Sequence, residues 1–144
     1  MILRALPRIA AWPTTALSLA GIALVGTPAT AAAAATGGGC TGPASKQACV
    51  SLVDDGGHGG DILFEARSDW PEAGGDCRMR LVAFDDTTGW QWERELRRCD
   101  RPLEQVYKLP NPTPGHVYRA ELQILPNGKN YAFAEFVKSP ELTY

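Results

Sequence analysis

The stretch Cys77-RMRLVAFDDTTGWQWERELRR-Cys99 decides the fold, because it has the pattern of a β-hairpin whose two ends are joined by a disulfide. Thr87-Thr88-Gly89 fits a three-residue hairpin loop in which the glycine takes the left-handed conformation without strain. Asp86 then lies opposite Trp90, and the same register places the two terminal cysteines in a non-hydrogen-bonded pair. Cα atoms in such a pair are about 4.5 Å apart, within the range of roughly 4.4–6.8 Å that a disulfide allows. Turn chemistry and cysteine spacing therefore predict the same hairpin.

The amino terminus has the three parts of a secretory signal peptide. Two arginines make its start basic, an apolar run follows from Ala16 to Val25, and alanine triplets allow cleavage within Ala31–Ala35. The apolar run is far shorter than the roughly 20 residues that a membrane-spanning helix needs. The sequence therefore predicts a secreted, extracellular protein with no membrane span. It consists of a signal peptide over residues 1–35 and a single domain over residues 36–144.

Removal of this leader takes away Arg4 and Arg8 and changes the net charge from −2 to −4. Such a mildly acidic balance argues against nucleic acid or an anionic membrane surface as a partner.

The four cysteines of the exported domain point to disulfide bonds, because an even count in a short secreted chain is typical of a disulfide framework. The preferred pairing joins Cys40 to Cys49, around a short loop of Gly, Pro and Ser, and Cys77 to Cys99 across the hairpin. The competing pairing joins Cys49 to Cys77 or to Cys99. A domain of about 100 residues holds only a small core. The Cys77–Cys99 disulfide closes the larger loop and would add about 3 kcal/mol to the stability of the domain on the chain-entropy model.

Seven segments of the domain have the composition of β-strands and are separated by stretches rich in Gly, Pro, Asn and Asp. They are Lys46–Val53, Asp61–Arg67, Cys77–Asp85, Trp90–Cys99, Glu104–Leu109, His116–Leu125 and Tyr131–Lys138. The predicted fold is therefore all-β, a two-sheet antiparallel sandwich of about seven strands with two disulfides.

The last two predicted strands carry the clearest alternation, with the side chains of Tyr118, Ala120, Leu122 and Ile124 on one face. A type I turn at Pro126-Asn127-Gly128 places Tyr118 opposite Phe136 and Arg119 opposite Glu135, a favourable cross-strand pair. A two-residue Asn-Gly turn would instead bury Glu135, and that cost favours the first register.

The stretch Leu109-Pro-Asn-Pro-Thr-Pro-Gly-His-Val-Tyr118-Arg-Ala-Glu-Leu122 resembles the corner before the sixth strand of fibronectin type III and immunoglobulin-like domains. In those domains a Pro-Gly turn leads into a strand whose early tyrosine bonds back to the corner. The resemblance implies an immunoglobulin-like sandwich in which Tyr118 has the corner role. It transfers no function, because such folds carry many unrelated functions.

The glycine-rich segment Asp54-Asp-Gly-Gly-His-Gly-Gly-Asp-Ile-Leu63 matches one repeat of the β-roll calcium motif. Asp54, Asp55 and Asp61 would supply the hard oxygen ligands that calcium prefers. A roll holds calcium between stacked repeats, however, and the residues that follow do not repeat the motif. We therefore expect a flexible glycine loop, and we predict neither a metal nor a cofactor.

The domain offers no recognisable catalytic constellation. His58 and His116 are its only histidines, its cysteines are expected to be bonded, and its serines lie in no nucleophile motif. Asp85 and Asp86 have the position of turn-promoting residues rather than of paired acids. The protein is therefore predicted not to be an enzyme.

Trp90 and Trp92 share one face of their predicted strand, an arrangement that would allow stacking on sugar rings. Because the predicted register places Trp92 opposite Phe84, we expect Trp92 in the core instead. Arg94 lies on the same side and interrupts the apolar pattern.

The sequence favours a secreted, non-catalytic module that binds an extracellular protein or polysaccharide. The candidate binding surface consists of Trp70, in a Gly-rich loop, with Tyr131 and Phe133 on the outer face of the last strand. Exposed aromatic side chains are common interface anchors. The alternatives are a proteinaceous inhibitor of a secreted hydrolase, a small carbohydrate-binding module and a structural surface protein.

Overall fold

The computed structural model describes residues 35–54, 59–69, 76–126, 128 and 131–144, all within a compact unit that spans Ala31–Tyr144. The described residues form eleven strands: β1 (Thr36–Gly37), β2 (Gly39–Thr41), β3 (Lys46–Val53), β4 (Asp61–Ser68), β5 (Arg78–Asp85), β6 (Trp90–Glu93), β7 (Arg97–Arg98), β8 (Leu103–Leu109), β9 (Val117–Leu125), β10 (Glu135–Lys138) and β11 (Leu142–Thr143). A 3₁₀ turn at Tyr131–Phe133 is the only helical element in these ranges. Among the described residues, no helix is long and apolar enough to cross a membrane.

The strands form two antiparallel sheets. The smaller sheet has the order β2-β3-β4-β8, and the larger has the order β1-β11-β9-β5-β6, with β10 also paired to β9 and β7 also paired to β5. β10 and β11 follow one another along one side of β9, and β6 and β7 follow one another along one side of β5. The predicted all-β architecture of two antiparallel sheets is therefore confirmed.

The core lies between the inner faces of the two sheets, because alternate side chains of each strand point to the same face. The face of β9 that carries Tyr118 and Leu122 is buried as predicted. Phe64 of β4 meets Tyr118 edge to face, with ring centroids 6.3 Å apart. Complete burial of a side chain such as Phe64 contributes about 1.5–3 kcal/mol.

Both predicted disulfides are present, Cys40–Cys49 and Cys77–Cys99. Cys40 lies directly opposite Cys49 in the β2–β3 ladder, and the Cα atoms of the second pair are 5.4 Å apart. The competing pairing of Cys49 with the hairpin cysteines is wrong. Two disulfides are consistent with an extracellular protein.

The turn of the central hairpin differs from the predicted one by a single residue. Asp85, rather than Asp86, lies opposite Trp90, because the turn contains four residues instead of three. The Asp85 carboxylate accepts hydrogen bonds from the N–H groups of Thr87 and Thr88 and so stabilises the longer turn. Gly89 has the predicted left-handed conformation, with φ of 73°.

A β-bulge at Arg94–Leu96 then shifts the ladder back by one residue. The N–H of Arg94 donates to the C=O of Leu81, yet Arg97 lies opposite Met79. Two residues of the returning strand therefore span the place of one on β5. This extra residue compensates for the extra residue of the turn and restores the predicted register. The two hairpin cysteines therefore still lie opposite one another.

The Gln105 side chain of β8 satisfies backbone groups beside the bulge. Its Oε1 accepts a hydrogen bond of 2.6 Å from the N–H of Leu81. Its Nε2 donates a hydrogen bond of 2.8 Å to the C=O of Glu95. The buried side-chain amide of Gln105 therefore bonds a backbone N–H and a backbone C=O that do not pair with each other at the bulge. It also links the two sheets.

The last hairpin has a different register from the predicted one. Tyr131–Phe133 forms a 3₁₀ turn, so the strand begins only at Glu135, which lies opposite Ile124, while Phe136 lies opposite Gln123. The prediction that placed Phe136 opposite Tyr118 is wrong. Tyr131, at the start of the 3₁₀ turn, lies against the outer face of the larger sheet, where Arg80 donates to its hydroxyl.

Three short strands were not predicted, namely β1, β2 and β11. β1 pairs with β11 in the larger sheet and β2 pairs with β3 in the smaller one, so the chain crosses between the sheets at Gly38. Gly38 has a φ of 79°, and a Cβ there would lie 2.9 Å from the backbone oxygen of Val50. The glycine run therefore permits the crossing.

Candidate functional site

Three aromatic side chains stand exposed on the segment that leads from the 3₁₀ turn into β10. The exposed fractions are 51% for Tyr131, 66% for Phe133 and 44% for Phe136. We call residues 131–136 the aromatic segment. The sequence analysis placed Tyr131 and Phe133 on the outer face of the last strand. Both are exposed, but they lie on a 3₁₀ turn instead. The third candidate, Trp70, lies outside the described residues.

A chain of buried polar side chains lies on the outer face of the larger sheet next to the aromatic segment. Arg80 of β5 and both Glu121 and Gln123 of β9 are buried. The Nε of Arg80 donates to the Oε1 of Gln123 at 2.9 Å, and the Nε2 of Gln123 donates to the Oε1 of Glu121 at 2.8 Å. These three residues form the centre of a network that connects two neighbouring strands.

Arg80 also anchors the aromatic segment. Its guanidinium donates to the Tyr131 hydroxyl and to the Glu93 carboxylate, and its Cζ lies 5.9 Å from the centroid of the Tyr131 ring. A buried arginine needs such partners, because an unpaired buried charge is strongly destabilising. Gln123, Glu93 and Tyr131 together supply them, and Tyr131 does so from the 3₁₀ turn rather than from a strand.

Arg119 closes the other end of the network. Its guanidinium binds both carboxylate oxygens of Asp86, at 3.0 and 3.1 Å, and donates to Glu121 at 3.1 Å. Burial alone would lower the pKa of Arg119, but the hydrogen bonds to these two carboxylates outweigh it and raise the pKa. The same guanidinium lies 4.4 Å from the centroid of the Phe84 ring. Phe84 therefore lies on the outer face, not opposite Trp92 as predicted.

Among the described residues, every buried side-chain nitrogen or oxygen has a hydrogen-bond partner. A satisfied polar network of this kind makes a side-chain arrangement rigid. It holds the base of the aromatic segment in place and leaves the Phe133 and Phe136 rings turned to solvent.

The tryptophan pair does not form a free platform for a sugar. Trp92 lies opposite Ala83 and stacks on Tyr107 of the smaller sheet, with ring centroids 4.0 Å apart and an interplanar angle of 22°. Arg94 lies over the same indole, with its Cζ 4.8 Å from the ring centroid. Trp92 is thus occupied by contacts within the protein.

Arg94, which the sequence pattern did not explain, protects the edge of the smaller sheet. Its Nε and Nη2 donate to the C=O of Val106 at 3.1 and 2.6 Å. β8 has β4 on one side only, so this carbonyl belongs to its free edge. A charged side chain bound to an edge carbonyl blocks pairing with another chain.

An open groove of about 710 Å³ lies between the bulge and β8, lined by residues 94–98 and 100–106. Arg97 contacts Glu95 at 3.1 Å and Arg98 contacts Asp100 at 2.9 Å. Exposed pairs of this kind contribute about 0–1 kcal/mol. The pairing of opposite charges along its wall gives the groove no clear preference for a ligand.

Of the three aspartates predicted as calcium ligands, the structure describes Asp54 and Asp61. Asp61 is buried and forms an ion pair with Lys108, Asp54 is exposed, and Asp55 lies outside the described residues. In the part of the chain that the structure covers, no group of three or more His, Cys, Asp or Glu side chains is placed to hold a metal ion.

Asp85 and His116 form a pair that the sequence did not indicate, since the two residues are far apart in the chain. The Nδ1 of His116 lies 2.8 Å from the Oδ2 of Asp85, at the end of the sandwich where β5 ends and β9 begins. Burial alone would raise the pKa of Asp85. The hydrogen bonds from His116 and from Thr88 outweigh this effect and hold the pKa of Asp85 below its ordinary value.

No protein-family model, curated protein or solved structure matches this chain.

Proposed function

We propose that this protein is a secreted, non-catalytic binding module with an immunoglobulin-like fold, which binds an extracellular protein through the aromatic segment. The single observation that carries the proposal is the exposure of Phe133 and Phe136 beside a polar network that is itself fully satisfied. Because the buried polar atoms of the network already have partners within the protein, the apolar rings gain most from a binding partner. Burying such a ring against a partner contributes about 1.5–3 kcal/mol.

Anchoring of the segment supports this proposal. The Tyr131 hydroxyl is held by Arg80, so the turn that carries Phe133 is attached to the sheet before any partner arrives. Pre-ordered aromatic anchors lose little conformational entropy on binding. Clustered exposed apolar residues mark interaction sites more often than scattered ones do.

The corner at Tyr118 supports the immunoglobulin-like assignment. Its hydroxyl accepts a hydrogen bond of 3.0 Å from the N–H of Thr113, which is the contact that the resemblance implies. Secretion, with residues 1–35 as signal peptide, is supported by the two disulfides.

The test is a binding measurement with the oxidised, secreted protein. Partners captured from the native culture medium are identified and purified, and the affinity of each for the wild-type protein is measured by calorimetry. We expect Phe133→Ala combined with Phe136→Ala to weaken binding at least about tenfold, as loss of interface hot spots does. Leu52→Ala is the matched control, because Leu52 is 40% exposed but lies on the smaller sheet.

A purified partner that binds the double variant as tightly as the wild type would place the binding surface elsewhere. The same purified protein is assayed against a panel of secreted proteases and amylases and in a polysaccharide pull-down. Inhibition of a hydrolase would favour the inhibitor alternative, and retention on a polysaccharide would favour the carbohydrate-binding alternative. Either result would overturn the proposal if the double variant inhibited the hydrolase, or was retained on the polysaccharide, as strongly as the wild type.

A further inference from the structure

Two arginines lie directly opposite each other near the disulfide end of the central hairpin. Arg78 of β5 pairs with Arg98 of β7, and opposed residues of two strands share a face of the sheet. That face is the outer one, because Arg78 lies two residues before Arg80, which belongs to the outer-face network. We call Arg78 and Arg98 the arginine pair. Like charges directly opposite one another destabilise a sheet, so this arrangement does not serve the stability of the fold.

The hydrogen bonds of the ladder place the stems of these two side chains next to each other. The N–H of Cys99 donates to the C=O of Cys77, and their Cα atoms are 5.4 Å apart. The cysteines therefore occupy a hydrogen-bonded position rather than the non-hydrogen-bonded one that the sequence predicted. Arg78 and Arg98 occupy the next, non-hydrogen-bonded position, where Cα atoms are about 4.5 Å apart and side chains are closer together.

The arginine pair has few acceptors of its own. Within the described part of the chain, Arg78 makes no ion pair, and its guanidinium donates to the neutral C=O of Cys77 at 2.9 Å. On the other side of Arg78, β9 places the apolar Leu125. Arg98 contacts the carboxylate of Asp100 at 2.9 Å in an exposed pair. Because a guanidinium carries several N–H donors, both groups keep donors for a further acceptor.

Other carboxylates of the same hairpin are bound elsewhere. Asp86 binds Arg119, and Glu93 binds Arg80. Arg101, which follows β7, is exposed and makes no ion pair with any described residue. The disulfide end of the hairpin therefore carries a local positive charge on a protein that is acidic overall.

The arginine pair shares the outer face of the larger sheet with the surface proposed above. Arg78 and Arg80 are two residues apart on one strand, so their Cα atoms are separated by about 6.6 Å. Arg80 holds Tyr131 at the base of the aromatic segment, and Phe136 lies opposite Gln123 on the same face. A partner that covers the exposed rings therefore reaches the arginine pair as well.

We propose that the arginine pair binds carboxylate side chains of the partner protein, so that the partner presents acidic residues beside its apolar ones. This inference rests on the proposed function for the kind of partner and for the face that it covers. Arg119 shows the binding mode on the same face, because its guanidinium binds both carboxylate oxygens of Asp86, at 3.0 and 3.1 Å. Since the protein is acidic overall, an acidic partner is attracted at this end and repelled over much of the remaining surface. Such complementarity determines the orientation of a complex.

The test is an NMR titration of the isotope-labelled, disulfide-bonded protein in low-salt buffer with a tetrapeptide of glutamate whose ends are acetylated and amidated. We expect saturable shifts of the backbone amides of Arg78 and Arg98, which become smaller as salt is added because exposed charges are screened. The matching tetrapeptide of glutamine should bind at least about fivefold more weakly, because hydrogen bonds between ionised groups are about twice as strong as neutral ones. A sulfated disaccharide, titrated in parallel, tests an anionic polysaccharide as the occupant.

One variant and one matched control separate binding from folding. Arg78→Gln should weaken binding of the glutamate peptide at least about threefold. It also relieves the like-charge contact, so its urea midpoint should equal or exceed that of the wild type. Arg97→Gln removes the same charge from β7, but neighbouring strand residues point to opposite faces, and Arg97 contacts Glu95 at 3.1 Å. The control should weaken peptide binding less than Arg78→Gln does.

Phe133→Ala combined with Phe136→Ala should leave the peptide titration unchanged, so failure of the aromatic-segment proposal and failure of this one are distinguishable. The proposal is wrong if the glutamate peptide gives no saturable shifts at the arginine pair, or if the glutamine peptide binds as tightly. Tighter binding of the sulfated disaccharide would overturn the assignment to a protein partner. An Arg78→Gln variant that binds like the wild type, or that has a lower urea midpoint, would equally contradict the proposal.

Discussion

Replacement of Gln105 by leucine tests whether one buried side-chain amide holds the bulge of the central hairpin. Leucine has nearly the same volume as glutamine and no polar atoms. The substitution removes the acceptor of the Leu81 N–H and the donor to the Glu95 C=O, and it leaves the neighbouring apolar contacts largely in place. The change therefore isolates the two hydrogen bonds.

The expected magnitude follows from the burial of the groups left behind. Leu81 is fully buried, so water does not reach its N–H, and leaving such a group unsatisfied costs about 1–3 kcal/mol. The Glu95 carbonyl lies on an exposed residue, so losing its donor costs about 0.5–1.5 kcal/mol. Gln105→Leu should therefore lower the free energy of unfolding by about 1.5–4.5 kcal/mol.

The assay is urea denaturation of the oxidised protein, followed by circular dichroism, with the midpoint and the slope both fitted. An unchanged slope with a lower midpoint indicates a loss of native stability alone. Glu104→Leu is the control, because Glu104 is the exposed neighbour of Gln105 on β8 and its replacement should change the free energy by less than about 0.5 kcal/mol. A Gln105→Leu variant with the wild-type midpoint would refute the reasoning, since the Leu81 N–H would then have another partner or water access.

Tyr118→Phe should lower the free energy of unfolding by about 1 kcal/mol, because the N–H of Thr113 loses its acceptor; an unchanged urea midpoint would contradict the corner bond. Gly38→Ala should lower the melting temperature more than Gly115→Ala, because both glycines have positive φ, 79° and 81°, but only the Cβ at Gly38 would meet backbone and side-chain atoms within 4 Å. Equal melting of the two variants would show that the crossing between the sheets is not tightly packed. The stabilising contribution of Asp85, whose pKa is lowered in the folded state, is present above the ordinary pKa of 3.8 and is lost as the pH falls through and below it. The difference in urea midpoint between the wild type and Asp85→Asn should therefore be largest near neutral pH and shrink as the pH falls towards 3; a difference independent of pH would contradict the assigned ionisation.

Local composition was sufficient to predict most of the strands. β3 matches its predicted bounds, and β4, β5, β8 and β9 match theirs to within one residue at each end. These strands alternate polar and apolar residues between clear turn signals, so their own residues specify them. By contrast, β1 and β11 contain two residues each and pair with one another, so neither carries a pattern of its own.

The registers were harder to predict, because each depends on residues distant in the chain. The turn at Asp85 depends on a carboxylate that caps two N–H groups, and the bulge at Arg94–Leu96 depends on Gln105, which is contributed by the other sheet. The correct prediction of Cys77–Cys99 thus came from a register that was wrong at the turn and corrected by the bulge. The cysteines constrained only the end of the hairpin, and every register with a compensating bulge satisfies them equally.

The error in the last hairpin also bears on the candidate site. In the structure Tyr131 lies in a 3₁₀ turn, and its hydroxyl accepts a hydrogen bond from Arg80 on the outer face of the larger sheet. Residues 131–133 are therefore not strand residues, and Tyr131 joins Gln123 and Glu93 as a partner of the buried Arg80 guanidinium. Phe133 lies exposed on the same turn. The hydrogen bond from Arg80 thus fixes Tyr131 on the sheet, and we expect a charge-neutral replacement at Arg80 to loosen the turn that carries Phe133.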